Sequence, residues 1–197
     1  MSHYFTNDSN LESEKQTITV KVLKTVFKFV TDNGVFSKDY LDFGTKLLID
    51  AIAAEQNLTG DILDVGCGYG GLGLVIASQT PFKVTMVDVN KRALDLCLEN
   101  AKLNKIDNIE VFESNVYDNV NQKYQTIITN PPIRAGKQVV HEIILGGYDY
   151  LNDGGCLYLV IKKQHGAKSA IKALEMKYRE VIVLNKEKGY FIIKCEK

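Results

Sequence analysis

At 197 residues, with 45% hydrophobic and 24% charged side chains, the chain can bury a sizeable core and is expected to form one domain. No apolar run approaches the roughly 20 residues that cross a bilayer, and the start, MSHYFTNDSNLESEKQ, lacks the basic-then-apolar layout of a secretion signal, so the cytoplasm is the expected location. A formal charge of zero argues against coating nucleic acid over a long footprint, and four scattered cysteines with three histidines show no ligand spacing, so neither a disulfide framework nor a metal is expected.

Residues 1 to about 16 are polar and expected to be loosely held. ITVKVLKTVFKFVTD then alternates apolar and polar positions, which predicts a hairpin turning around Lys24 and Thr25. NGVFSKDYLDFG is turn-rich, its Asn-Gly step supplying an easy positive φ. From Thr45 the period becomes helical, with Leu47, Leu48, Ala51 and Ile52 on one stripe. Ile62, Leu63 and Val65 read as a buried strand that runs into glycines, LGLVIAS as a helix, and KVTMVDV as another buried strand. Asn90 is a good N-cap for a helix whose stripe is Leu94, Cys97, Leu98 and Ala101. NIEVFES and YQTIITN are strands, KQVVHEIILGGYDYL a helix, GGCLYLVI a strand and HGAKSAIKALEMK a helix; REVIVLN and GYFIIKCE form a closing hairpin around KEKG. Alternating strands and helices predict an α/β fold with a mostly parallel sheet covered on both faces. Two strands in succession at the end predict an antiparallel edge.

The first buried strand ends in DILDVGCGYGGLG, and in such sheets ligands gather beyond the carboxyl ends of the strands. Gly66, Gly68 and Gly71 satisfy the dinucleotide spacing G-x-G-x-x-G, whereas Asp64, Gly66, Gly68 and Gly70 satisfy D-x-G-x-G-x-G. An acid two residues before the glycines suits a cationic amine better than a pyrophosphate, which favours S-adenosylmethionine. The plainer alternative is that Asp64 caps a turn. Asp88, at the next strand end, is suited to accept both hydroxyls of a ribose.

TIITNPPIRAGK places two of the chain's three prolines after Asn130. Proline removes backbone donors and pushes the residue before it toward extended geometry, so Asn130 and Pro131 are both restricted. The Asn130 side-chain oxygen and the Pro131 carbonyl would then form a fixed pair of acceptors, with Pro132 completing the rigid turn. Such a pair stabilises the charge that develops on a conjugated amine under attack on a methyl group, an effect of about 2.7–4 kcal/mol for comparable single donors. The bland reading is a strand-ending turn. The order of glycine loop, Asp88 and Asn-Pro-Pro on successive strand ends favours the catalytic one.

These segments resemble the class I S-adenosylmethionine-dependent methyltransferases over nearly the whole chain: DVGCGYG as cofactor loop, DVN with the ribose acid, ESNVY as adenine segment, NPPI as amine-binding motif. The fold so implied is Rossmann-like, a mostly parallel seven-stranded sheet with an antiparallel edge strand and an N-terminal β-hairpin extension. One methyltransferase domain spans 1–197, with 1–40 as extension and 41–197 as cofactor-binding catalytic core. TDNGVFSKDYLDFGTKLL, together with SNVY and TNPPIRAGK, is read as a narrower resemblance, to the small-subunit ribosomal RNA guanine-N2 methyltransferases in single-domain form. It implies methyl transfer to guanine N2 of 16S ribosomal RNA, with ribosomal RNA or the small ribosomal subunit as partner. By the same resemblance Asp64, Gly66, Gly68 and Gly70 line the methionine end of the cofactor, Asp88 the ribose and Asn115 the adenine edge. Asn115 stands where aspartate is common, and its oxygen can still accept from the adenine amine.

Two departures stand out. The position after Asn-Pro-Pro is Ile133, where many such sites carry an aromatic that stacks on the base, so Phe36 or Tyr69 is expected to supply the ring. Longer members also carry a second, degenerate copy that this chain lacks. Arg134 is the expected RNA contact, with Lys137, Lys162, Lys163, His165 and Lys168 on the same rim and Lys21, Lys24 and Lys28 of the hairpin as weaker candidates. Adenine N6 or a protein glutamine stays open as acceptor. A nicotinamide-dependent oxidoreductase and a non-catalytic RNA-binding factor are the competing classes. Oligomeric state is not legible.

Overall fold

The computed structural model describes residues 12–56 and 58–197, so the expectation for the first residues falls, up to residue 11, outside the described residues. Strands β1 (Gln16–Val22) and β2 (Thr25–Thr31) form a two-stranded antiparallel sheet, Val22 opposite Thr25. The turn is therefore Leu23–Lys24, one residue earlier than the pattern suggested, with Leu23 at φ +54°. Register follows the pleat: Val22, Phe27 and Phe29 must share the buried face, and the two phenyl rings stack at 5.9 Å.

Helix α1 (Phe43–Glu55) starts two residues before Thr45, because Asp42 is its N-cap and accepts from the Thr45 amide. The alternation that follows is β3 (Ile62–Val65), α2 (Gly73–Ala77), β4 (Val84–Asp88), α3 (Lys91–Leu103), β5 (Ile109–Glu113), β6 (Tyr124–Thr129), α4 (Lys137–Tyr150), β7 (Leu151–Lys162), α5 (Ala167–Glu175), β8 (Glu180–Glu187) and β9 (Tyr190–Glu196). Asn90 caps α3 by accepting from the Ala93 amide.

The sheet runs β5-β4-β3-β6-β7-β9-β8, and its first five strands are parallel. The closing hairpin supplies the antiparallel edge: β9 is reversed and pairs with both β7 and β8, leaving β8 outermost. A core lies on each face. Ile62, Met86, Ile128, Val160 and Ile192 point to the side of α1, α2 and α3, and the buried hairpin residues join them there. Leu63, Val65, Val87, Ile127, Leu159 and Ile193 point to the side of α4 and α5. Neighbouring strand residues divide between the two clusters, as a period of two requires. Chain order reverses between β3 and β6, so the crevice of a doubly wound sheet opens above their carboxyl ends.

Candidate active site

The glycine loop and the Asn-Pro-Pro turn leave the sheet side by side. The Thr129 hydroxyl, buried at the end of β6, donates to the Val65 carbonyl at the end of β3, at 2.8 Å. The amides of Gly66 and Cys67 both donate to the Val87 carbonyl, at 2.8 and 3.0 Å, which pins the loop to β4. Gly66 and Gly68 have φ of +74° and +56°, backbone that side chains rarely adopt. A Cβ on Gly66 would touch only Pro132 Cδ, at 3.8 Å, and one on Gly68 would meet nothing within 4 Å. The loop therefore abuts the proline turn on one side and open space on the other.

That space is a cavity of about 620 Å³, within the range of small-molecule sites. Asp64, Gly66, Gly68, Asp88 and Asn115 line it on the glycine-loop side. Asn130, Pro131, Pro132, Phe36 and Arg134 line it on the other. Gly70, which the resemblance placed at the methionine end of the cofactor, is not among the residues that line it. A Cβ there would run into Leu74 Cδ1 at 2.6 Å and Cys97 Sγ at 2.9 Å, so Gly70 lets α2 and α3 close on the loop.

Asp64 is fully buried and neither carboxylate oxygen has a hydrogen-bond partner among the described residues. Burial pushes its pKa up to about 8; the nearby Gly73 amide offsets part of this and the charge of Asp88 adds to it. Asp88 is better served. Its Oδ2 accepts from the Gly68 amide and its Oδ1 from the Asn90 amide, both at 2.9 Å. Burial raises the Asp88 carboxyl as well, and the amides of Asn90, Gly68 and Val89 counter it. Each of its oxygens keeps lone-pair capacity beyond those bonds. Asn115 is exposed, its Nδ2 donating to Asp118 Oδ2 at 3.1 Å.

At the far wall, Asn130 Nδ2 donates to Thr45 Oγ1 at 2.9 Å and to Asp42 Oδ2 at 3.2 Å. The Pro132 carbonyl accepts from the Ala135 amide at 2.9 Å, closing a short 3-10 turn over Ile133–Ala135. Of the two proposed rings, Tyr69 is only 4% exposed and tilts against Phe29, whereas Phe36 is 41% exposed. Tyr40, at 65% exposure, is a third ring on the cavity. Lys162 and His165 reach the cavity with Arg134; Lys137, Lys163 and Lys168 do not, nor do the hairpin lysines. Lys162 Nζ lies 4.5 Å from the centre of the Tyr190 ring, another part of the wall.

Asp42, Thr45, Tyr40 and Tyr190 are wall residues that the motifs did not single out. For the first two a signal was present: Asp-x-x-Thr before an apolar run marks a helix start, here one pointed at the cavity. Among the described residues no group of three or more His, Cys, Asp and Glu stands together, the four cysteines are free thiols, and no helix is long and apolar enough to cross a membrane.

The model of a family described as the methyltransferase small domain matches residues 26–194. Over 198 residues the chain is 46% identical to the uncharacterized protein YbxB of Bacillus subtilis (strain 168), covering 99% of this chain and 98% of that one. It is 37% identical over 132 residues to ribosomal RNA small subunit methyltransferase C of Erwinia tasmaniensis; the match takes in 64% of this chain but only 38% of that relative's length. Among solved structures, the T. Thermophilus 16S rRNA N2 methyltransferase RsmC, in complex with AdoMet and guanosine, superposes with a TM-score of 0.86 at 23% identity, covering 95% of this chain and 52% of that one. At that identity the superposition speaks for the fold.

Proposed function

The chain belongs to the methyltransferase small domain family, whose members use S-adenosylmethionine, and from that premise we propose that it methylates an exocyclic amine, guanine N2 of 16S ribosomal RNA. The observation that carries this reading is the adjacency of two unlike walls in one cavity. A glycine loop with an orphaned buried carboxylate faces a proline-stiffened turn made of Asn130, Pro131 and Pro132.

The residues present fit the cofactor. A carboxylate buried without partners, Asp64, gains most from a cationic amine, and Asp88 has lone pairs left for ribose hydroxyls. Gly66 and Gly68 allow close approach of the methionine end, and Asn115 offers an amide oxygen to the adenine amine. When bound, S-adenosylmethionine would supply an electrophilic methyl group on a sulfonium, whose carbon–sulfur bond breaks with the electron pair leaving on sulfur as a neutral thioether.

The rest is the work of the chain. Asn130 Oδ1 and the Pro131 carbonyl accept the two N–H groups of the target amine and hold its lone pair toward the glycine loop. As that lone pair forms the new bond the nitrogen turns cationic, and both acceptors bind it more strongly than before. This is stabilisation confined to the transition state. The methylated nitrogen is a strong acid and releases one proton to solvent, so no dedicated base is required.

Phe36 and Tyr40, the accessible rings, would stack on the base, while Arg134, Lys162 and His165 meet the phosphates. Residues 1–40 and 41–197 act as one catalytic unit. An acceptor in the small ribosomal subunit makes the cytoplasm its place of work. Mass-spectrometric mapping of modified nucleosides in ribosomal RNA, with and without the gene, tests the proposal. Loss of one N2-methylguanosine from 16S RNA is expected; loss of an N6-methyladenosine, or of methylation on a protein glutamine alone, would replace the acceptor.

A further inference from the structure

Asparagine has a defect as a catalytic acceptor: its oxygen and nitrogen ends have nearly the same shape. A flip of the amide would aim two donors at an amine that must itself donate. Rigidity of the backbone does not prevent this, because the terminal torsion of asparagine is soft and roughly two-fold. Something chemical must tell the two ends apart.

We infer that Asp42 and Thr45, at the start of α1, are positioning residues that set the orientation of the Asn130 amide and so keep Oδ1 toward the cavity. This rests on the reading of Asn130 as the holder of the target amine. The amide nitrogen sits 3.2 Å from Asp42 Oδ2 and 2.9 Å from Thr45 Oγ1. An ionised carboxylate has lone pairs and no proton to give, so it accepts the NH₂ end and rejects the oxygen end. Thr45, a buried hydroxyl, takes the second N–H. Both amide protons are thereby consumed on the protein side, and the oxygen is left to the substrate. The carboxylate behind the amide also polarises it, drawing positive charge toward nitrogen and negative charge toward Oδ1.

The carboxylate is itself held in place. Asp42 Oδ2 accepts from the Thr45 amide at 3.2 Å as the cap of α1, and the Asp42 carbonyl accepts from the Lys46 amide at 3.0 Å. Gly44 is needed for this approach: a Cβ there would lie 2.9 Å from Asp42 Oδ2 and 2.7 Å from Tyr190 Cε1. The helix start thus performs two tasks with one carboxylate, which is why it carries Asp rather than any good cap.

Asp42→Asn separates those tasks, because asparagine caps a helix as well as aspartate does but can turn either end of its amide to Asn130. With S-adenosylmethionine and small ribosomal subunits from a strain lacking the gene, its single-turnover rate should fall roughly 10- to 100-fold. Cofactor affinity by calorimetry and the thermal midpoint should stay near wild type. Thr45→Val should lose rate likewise, and Thr45→Ser should restore it. A second readout does not depend on the acceptor: the side-chain NH₂ signals of Asn130, assigned by their absence in Asn130→Ala, should exchange slowly with water in ¹⁵N-labelled wild type and faster in Asp42→Asn. Fast exchange in wild type overturns the inference. So does an Asp42→Asn rate within twofold of an active wild type. A wild type that leaves ribosomal RNA unmethylated, yet protects the Asn130 protons in an Asp42-dependent way, sinks the ribosomal RNA reading and supports the inference.

Discussion

Asn100 of α3 holds Val30 of β2 by both of its backbone groups: Oδ1 accepts from the Val30 amide at 2.6 Å and Nδ2 donates to the Val30 carbonyl at 3.0 Å. Asn104, one helical turn on, repeats the pattern with Lys28, at 3.0 and 2.7 Å. The match is geometric, since four residues of helix rise ~6 Å and two residues of strand span ~6.7 Å. Helix α3 thereby stands in for a third strand beside the hairpin. Asn100 Nδ2 also reaches the Tyr69 carbonyl at 2.9 Å, so the hairpin and the glycine loop share one anchor.

Asn100→Ala should therefore lower stability by about 1–3 kcal/mol, the cost of leaving buried backbone groups unpaired. Asn104, in a more exposed setting, should cost less than about 1 kcal/mol when truncated, because water replaces its bonds. Urea unfolding of the two variants checks this. Equal losses would mean that the hairpin is not held through these amides.

The two walls should fail differently. Asn130→Ala is expected to slow methyl transfer by about 10²–10³-fold, the scale of a lost transition-state hydrogen bond, with cofactor affinity nearly unchanged. Asp88→Ala removes the acceptor for the Gly68 and Asn90 amides and should chiefly weaken cofactor binding. Calorimetry with S-adenosylhomocysteine beside single-turnover rates distinguishes them. Equal losses of affinity would contradict this division of labour.

Asp64 makes the free protein sensitive to pH. Between its ordinary value of 3.8 and its folded value of about 8, the folded protein carries a proton that the unfolded chain has lost. The free protein should lose stability as pH rises through that window, since the unfolded state binds fewer protons there. A cationic amine favours the carboxylate, so cofactor binding near about pH 6.5 should release about one proton. Calorimetry in buffers of different ionisation heat measures that release, and Asp64→Asn should abolish it together with much of the affinity.

Stacking assigns the last test. Tyr40→Ala or Phe36→Ala should raise the RNA concentration needed for half-maximal rate by about 10-fold or more, as loss of a ring worth ~1–3 kcal/mol would. Tyr69→Leu, which removes a ring buried away from the exposed rim, should leave it unchanged in protein that stays folded. A large effect at Tyr69 with none at Tyr40 and Phe36 would move the stacking site.

Periodicity made the strands and helices legible, down to the Asn90 cap, because a period of two or of 3.6 records which side of an element faces the core. Spacing likewise carried the glycine loop, Asp88 and the Asn-Pro-Pro turn, since each is a local backbone requirement written in a few consecutive residues. Contacts between distant segments left no such mark. That Gly70 serves packing, that Tyr69 is buried while Tyr40 stands open, and that β9 slips inside β8 were decided when the layers closed. The same holds for Asn130: its proline-stiffened backbone is readable in four letters, but the carboxylate that chooses which end of its amide meets the cavity lies 88 residues away. Only packing α1 on β7 and β9, which sets its start beside the turn that follows β6, brings the two together.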